Sequence, residues 1–285
     1  MVAFFQRSAT RSSTRESGQV AVEAALVMPL FVFFILGILQ LGLIAQARVM
    51  AKYAAYRAAR VGAMNNADPK AIQSAAILHL LPVLVNGSDL ILPTDSSSEV
   101  LSKFMQHNTI SNILPSGGEM VKTVICAPVR DDLAGGGAHD IKNAGQQARG
   151  GEGTDNEADF DDPMNQSGPD DFTTGGNSLR RYKRMRLVVQ VQLLYRMPIP
   201  FANWVIVKSY LGANVPSVLM MPNKGGTPKA LTGQVSQVHA AQLAGAFVLP
   251  INVSYAMRMQ SNFFKSKFAL PTSNRCVTYG NPTGS

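Results

Sequence analysis

A long apolar segment near the amino terminus is the feature that most constrains this chain. From Leu26 to Ala45 the residues read LVMPLFVFFILGILQLGLIA, and Gln40 is the one strongly polar side chain among them. A helix of about 20 such residues is roughly 30 Å long, which matches the hydrocarbon core of a bilayer. The segment therefore predicts a membrane-spanning helix. The alternatives are a buried helix and a cleaved signal peptide, whose apolar core is usually shorter.

The helical pattern continues well beyond the apolar segment. Small residues recur at every third or fourth position along one face, namely Ala47, Ala51, Ala55, Ala58 and Gly62. The predicted helix therefore spans 19–63, which is longer than a membrane requires. A stripe of small residues allows another element to approach closely. It either associates with neighbouring subunits or packs on the protein's own globular domain, and the sequence leaves both interpretations open.

A short basic segment precedes this helix. Residues 1–18 contain three arginines against one acid and end in Gly18. Glu23 follows five residues later, at the head of the membrane helix. A carboxylate is unfavourable there, so its presence indicates a function. The alternative is an uninvolved surface acid that the dipole at a helix start favours.

These features together resemble type IV prepilin-like proteins, and more narrowly the TadE-like branch of the Tad (Flp) pilus system. The resemblance covers about residues 15–63 and rests on GQVAVEAALVMPLFVFFILGILQLG followed by AKYAAYRAARVGA. It implies cleavage after Gly18 by a prepilin peptidase, which leaves Gln19 as the new amino terminus. It also implies that Glu23 serves assembly by pairing with the free amine of an adjacent subunit, since a desolvated carboxylate requires a partner.

The length of the remaining chain narrows this interpretation. Major Flp pilins are very short, whereas residues 64–285 follow the helix here. The resemblance therefore implies a minor pilin or pseudopilin, which acts as an assembly component of a Tad-type pilus. We expect a single-pass protein of the bacterial inner membrane with a periplasmic carboxyl-terminal domain, either retained there or incorporated in an extracellular pilus. The alternative is an unprocessed, membrane-anchored periplasmic scaffold.

The expected partners follow from the same resemblance. They are inner-membrane lipid, the prepilin peptidase, other pilin-like subunits and Tad assembly proteins. Although the net charge is +8, nucleic acid is not expected, because the basic cluster at 180–186 contains only one aromatic residue, Tyr182. Basic residues lie on both sides of the apolar segment, so the positive-inside rule leaves the orientation open. A periplasmic domain thus follows from the resemblance alone.

The exported domain, residues 64–285, is predicted to be α+β with a mostly antiparallel sheet. Asp68 as the N-cap and Pro69 at the first helical position predict a helix that ends near Leu84. Strands are predicted from β-branched content at 121–130, 184–196, 204–210 and 248–256.

A low-complexity insertion at 131–179 interrupts this domain. It is rich in Gly, Asp and Asn and has too little apolar content to order itself, so it predicts a disordered acidic loop. Its most acidic part, from Glu152 to Asp162, superficially suggests calcium binding. That segment lacks the spacing and the closing glutamate of an EF-hand loop, so a solvated loop is the preferred interpretation.

The chain contains two cysteines, Cys126 and Cys276. In an oxidising compartment they can form a disulfide, and two buried free thiols are the alternative. The sequence shows no nucleophile elbow, phosphate-binding loop or metal-ligand spacing, and its histidines are scattered. It therefore predicts a protein that is not an enzyme, with no catalytic residues, no cofactor and no metal site.

Overall fold

A computed structural model of the chain describes residues 14–84, 96–109, 112–114, 117–129, 157–158, 186–214, 233–264, 268, 270–272 and 274–277. The helices in these residues are α1 (Thr14–Met64), α2 (Pro69–Leu80), α3 (Ser97–Thr109), α4 (Ala202–Asn214) and α5 (Gln234–Leu243). The strands are β1 (Val121–Ala127), β2 (Glu157–Ala158), β3 (Arg186–Arg196), β4 (Val248–Arg258) and β5 (Phe263–Phe264). The chain therefore has the α+β architecture that the sequence predicts.

Helix α1 is the dominant element, and its two halves have different surroundings. Its 51 residues make a helix about 76 Å long at 1.5 Å per residue. Residues 20–39 are largely exposed, Gln40 is buried, and from Ala47 onward buried side chains recur along one face of the helix. The most apolar window of α1 has a mean hydropathy of 2.5 and is only 6% buried. By length and composition α1 can cross a membrane.

A three-stranded antiparallel sheet forms the centre of the domain, in the order β1-β3-β4. The central strand β3 pairs with β4 along its full length, from Arg186 opposite Arg258 to Arg196 opposite Val248. The predicted antiparallel sheet is confirmed. Strand β1 ends at Ala127, earlier than predicted, because Pro128 has no N–H group to donate to a strand ladder.

The strand predicted at 204–210 is wrong, because these residues lie in helix α4. Three consecutive β-branched residues begin at Val205 and suggested a strand. The residues that contact the core are Ile206, Val207, Tyr210 and Leu211, whose spacing is that of a helix. Packing of this apolar face outweighed the local β propensity.

Helix α2 begins as predicted and ends early. The Asp68 side chain accepts a hydrogen bond from the backbone N–H of Lys70 at 3.0 Å, and Pro69 occupies the first turn. The helix ends at Leu80 rather than near Leu84. Pro82 explains this, since a proline disfavours helical geometry in the residue before it and cannot donate a backbone hydrogen bond.

The disordered loop predicted at 131–179 is wrong for two of its residues. Glu157 and Ala158 form β2, which pairs antiparallel with Phe264 and Phe263 of β5. Phe263 is fully buried, so the partner strand is fixed to the core and supplies a template for β2. The rest of the insertion, with its acidic segment, lies outside the described residues, as does the basic cluster except Arg186.

The core lies where α1 and α2 cover the sheet. Gly62 of α1 shows how close this packing is. A Cβ atom built on Gly62 would lie 2.7 Å from Cδ2 of Leu187 and 2.8 Å from Cδ1 of Ile72. Both neighbours are fully buried, so neither can move aside without disturbing the core.

We predict that Gly62→Val destabilises the detergent-solubilised protein by about 1–3 kcal/mol, because the added methyl groups overpack a filled site. The matched control is Gly212→Val in α4, where nothing lies within 4 Å of the added Cβ. That variant should stay within about 0.5 kcal/mol of the wild type. Chemical unfolding followed by circular dichroism gives both values. Equal losses in the two variants would contradict the close packing at Gly62.

Candidate assembly and membrane interface

The exposed half of α1 is the candidate functional surface. Large apolar side chains project from it in all directions, among them Val20, Leu26, Phe31, Phe34 and Ile38, each at least half exposed. A contiguous apolar surface of this size is not stable in water, so it indicates lipid or another protein as its environment.

Glu23 lies within this exposed half. Its side chain is exposed, and none of the described residues forms an ion pair with it. Residues 24–47 carry no charged side chain, so Glu23 stands alone until Arg48. A single carboxylate at the start of a long apolar helix therefore faces the environment that covers this helix.

Gly18 and Gln19, the predicted processing residues, lie in the helical backbone near the start of α1. Glu23 follows Gln19 by four residues, which is about one turn, or 6 Å along the axis. An amino group at residue 19 and the carboxylate of Glu23 would thus lie one turn apart on one face of α1.

The predicted small-residue stripe lies inside the protein. Each of its five members is buried, namely Ala47, Ala51, Ala55, Ala58 and Gly62. The stripe packs on the protein's own sheet and on α2, which was one of the two interpretations that the sequence left open. Association of subunits through the stripe would first require the domain to separate from α1. The part of α1 that is exposed on nearly all sides is its first half.

Gln40 makes a buried contact that sequence reasoning missed. It is fully buried, and its Oε1 accepts a hydrogen bond from the backbone N–H of Ile199 at 3.1 Å. Its Nε2 has no partner among the described residues. As the one polar residue in the apolar segment, Gln40 was visible in the sequence, but a contact to residue 199 was not.

This contact moves the boundary of the segment that is free to enter lipid. The sequence predicted a span from Leu26 to Ala45, yet Gln40 is covered by the turn after β3. Of the α1 residues whose exposure is described, 20–39 are largely uncovered, and they are about 30 Å long. Protein therefore begins to cover α1 at Gln40, five residues before the predicted end of the span at Ala45.

Polar contacts in the domain hold its elements together. The Nε–H of Arg57 in α1 donates to Nε2 of His79 in α2 at 3.0 Å, and Nδ1 of His79 bonds to the carbonyl of Ala75 at 2.7 Å. Burial raises the pKa of Tyr195 and of Tyr210, because each phenolate would be poorly solvated. Among the described residues no group of three or more His, Cys, Asp or Glu is placed to hold a metal ion.

The carboxyl-terminal segment is fixed to the sheet in two places. Cys126 of β1 and Cys276 form a disulfide, with their Cα atoms 5.4 Å apart. The side chain of Gln190 in β3 donates to the carbonyl of Val277 and accepts from its N–H, both at 2.8 Å. Gln190 is buried, so this paired amide also satisfies a polar group in the core.

The structure thus shows an α+β protein with a disulfide-bonded domain and one long amino-terminal helix, which fits a membrane anchor. Residues 18–60 match the family model described as TadE-like protein, so the segment that includes most of α1 is TadE-like. This match supports involvement in the Tad pilus system, and the family is one of structural and assembly proteins. Comparisons with curated proteins and with solved structures gave no match.

We predict that Cys276→Ser strongly destabilises the domain. The bridge joins residues 150 apart, and in the loop-entropy account such a bridge contributes about 4–5 kcal/mol. The chemical unfolding midpoint should fall in the variant, and reductant should lower the wild-type midpoint to a similar value. The control is reductant on the variant itself, which should change nothing. A wild-type midpoint that is insensitive to reductant would contradict this prediction.

Proposed function

We propose that this protein is a minor pilin or pseudopilin that serves as an assembly component of a Tad-type pilus. The supporting observation is that the TadE-like match begins at Gly18 and follows α1 through its exposed half into its buried half. An apolar helix that protrudes from a folded domain suits a subunit that is anchored in lipid and then associates with other helices. A membrane anchor alone would not need Gly18 and Glu23 at this spacing.

In this proposal the prepilin peptidase cleaves after Gly18 and frees the amine of Gln19. The carboxylate of Glu23 lies one helical turn beyond this amine, about 6 Å along the axis. A neighbouring subunit shifted by one turn would bring its amine beside Glu23. Neither charge is stable alone in an apolar environment, so pairing would both align and join the two helices.

The disulfide supports an exported domain. Bridges between cysteines persist in the bacterial periplasm and are rare in the reducing cytosol. Cys126 and Cys276 are bridged and account for both cysteines of the chain. We therefore place the domain on the periplasmic side of the inner membrane, with the segment before Gly18 on the cytoplasmic side.

We predict that the protein recovered from native membranes begins at Gln19. Gly18→Leu should block this processing, because it places a bulky side chain at the glycine that precedes the proposed cleavage point, and so should loss of the peptidase. Mass spectrometry of the amino-terminal peptide distinguishes the forms. An intact Met1, or the same terminus in both controls, would reject prepilin processing and leave an unprocessed membrane-anchored scaffold.

We predict that Glu23→Gln is processed normally but no longer co-purifies with Tad assembly proteins. The amide keeps the shape of the side chain and removes the charge that pairs with a neighbouring amine. Glu99→Gln is the matched control, since Glu99 is a partly exposed acid of α3 that pairs with Lys103 on the same helix. Equal recovery of partner subunits with both variants would show that Glu23 has no role in assembly.

A further inference from the structure

An exposed apolar tip lies beside the membrane segment of α1. It consists of Pro200, Phe201, Trp204 and Val205, at the turn into α4. Phe201 is 72% exposed and Trp204 is 53% exposed. The tip and Phe33 of α1 line an open pocket of about 360 Å³ whose walls are almost entirely apolar.

The backbone of the tip is held in an unfavourable conformation. Phe201 has a φ of +64°, which bulky residues rarely adopt. The strain directs an aromatic side chain outward, where the described part of the chain offers it little cover. Strained backbone conformations cluster at functional sites, and Phe201 is exposed, so this outlier fits a contact outside the domain.

The level of α1 at which the tip lies identifies what the tip contacts outside the domain. Phe33 precedes Gln40, where protein begins to cover α1, by seven residues, or about 10 Å along the helix axis. The tip that lies beside Phe33 is therefore on the membrane side of Gln40. The first charge after the apolar half, Arg48, lies in the opposite direction along α1. Elements that lie in a membrane interface are buried about 5–10 Å deep in it. This depth agrees with the separation of about 10 Å between Phe33 and Gln40 along the helix axis.

We propose that the tip inserts into the interfacial layer of the bilayer, as a second membrane contact besides α1. Lipid is the occupant because the tip shares one pocket, with almost entirely apolar walls, with Phe33 in the exposed apolar half of α1. Tryptophan favours the lipid headgroup level, where its ring is buried and its N–H remains hydrated.

The charge on α4 fits the same occupant. Lys208 is exposed and follows Trp204 by four residues, so both side chains lie on one face of the helix. It is the one charged residue of α4. A lysine one turn from an inserted tryptophan can reach the phosphate of a lipid headgroup. The tip would give the domain a second membrane contact away from the axis of α1, which would limit the tilt of α1 and of the domain that is fixed to it.

The test uses Trp204, the single tryptophan of the chain, as a reporter in the full-length protein. The protein is reconstituted in phosphatidylcholine vesicles whose acyl chains are brominated close to the headgroup. We expect the Trp204 emission to be blue-shifted and mostly lost on bromination, and to resist the aqueous quencher acrylamide. Resistance to carbonate extraction of the same vesicles establishes separately that α1 is inserted, on which this inference rests.

The matched control moves the reporter. Trp204→Phe combined with Leu101→Trp places the indole on α3, at a position where the leucine is also 53% exposed. We expect this emission to be quenched by acrylamide and unaffected by bromination. Phe201→Ser with Val205→Ser should reduce quenching of Trp204 by brominated lipid. The intact disulfide on a non-reducing gel reports that each variant is folded.

Two outcomes would overturn the proposal in protein that resists extraction. Acrylamide quenching of Trp204 without lipid quenching would place the tip in water. Shielding from both quenchers would place the tip against protein, such as a second copy of the chain. Neither outcome would affect prepilin processing, which is measured at the amino terminus.

Discussion

The close approach between the second half of α1 and the sheet is the contact on which the rest of the structure depends. Small side chains from Ala47 to Gly62 let the helix backbone lie directly on the side chains of β3 and β4. Alanine and glycine supply little apolar area themselves. The stabilisation comes from large residues that pack against these small ones, such as Ile72 and Leu187. The helix that anchors the chain is thus also a core element of the domain.

This double use of one helix connects the membrane to the domain rigidly. Because α1 continues without interruption from its apolar half into the core, a force on its amino-terminal half is transmitted to the sheet. Gln40 lies at the transition, where it binds the turn that leads from β3 to α4. The same turn carries the tip with Phe201 and Trp204. The boundary between lipid and protein is therefore built from residues far apart in sequence.

Much of the candidate site could be predicted from sequence, because its signals are local. The apolar segment, Gly18 and Glu23 at their spacing, and the repeat of small residues are each readable from neighbouring positions. The match to the TadE-like family model, over residues 18–60, covers the same segment. The predictions that failed needed distant partners. Residues 204–210 include β-branched side chains but lie in a helix whose apolar face packs on the core, and Glu157–Ala158 form a strand because β5 lies beside them.

The sequence by itself determined that the chain has one long apolar helix, a cap at Asp68 and an antiparallel α+β domain, since periodicity, capping and β-branched content act over a few residues. Only the tertiary structure decided which face of α1 is covered, where the cover begins, and what Cys126 and Gln190 bind. Those contacts join residues tens to hundreds of positions apart. They depend on how the sheet and helices pack, which no local pattern specifies.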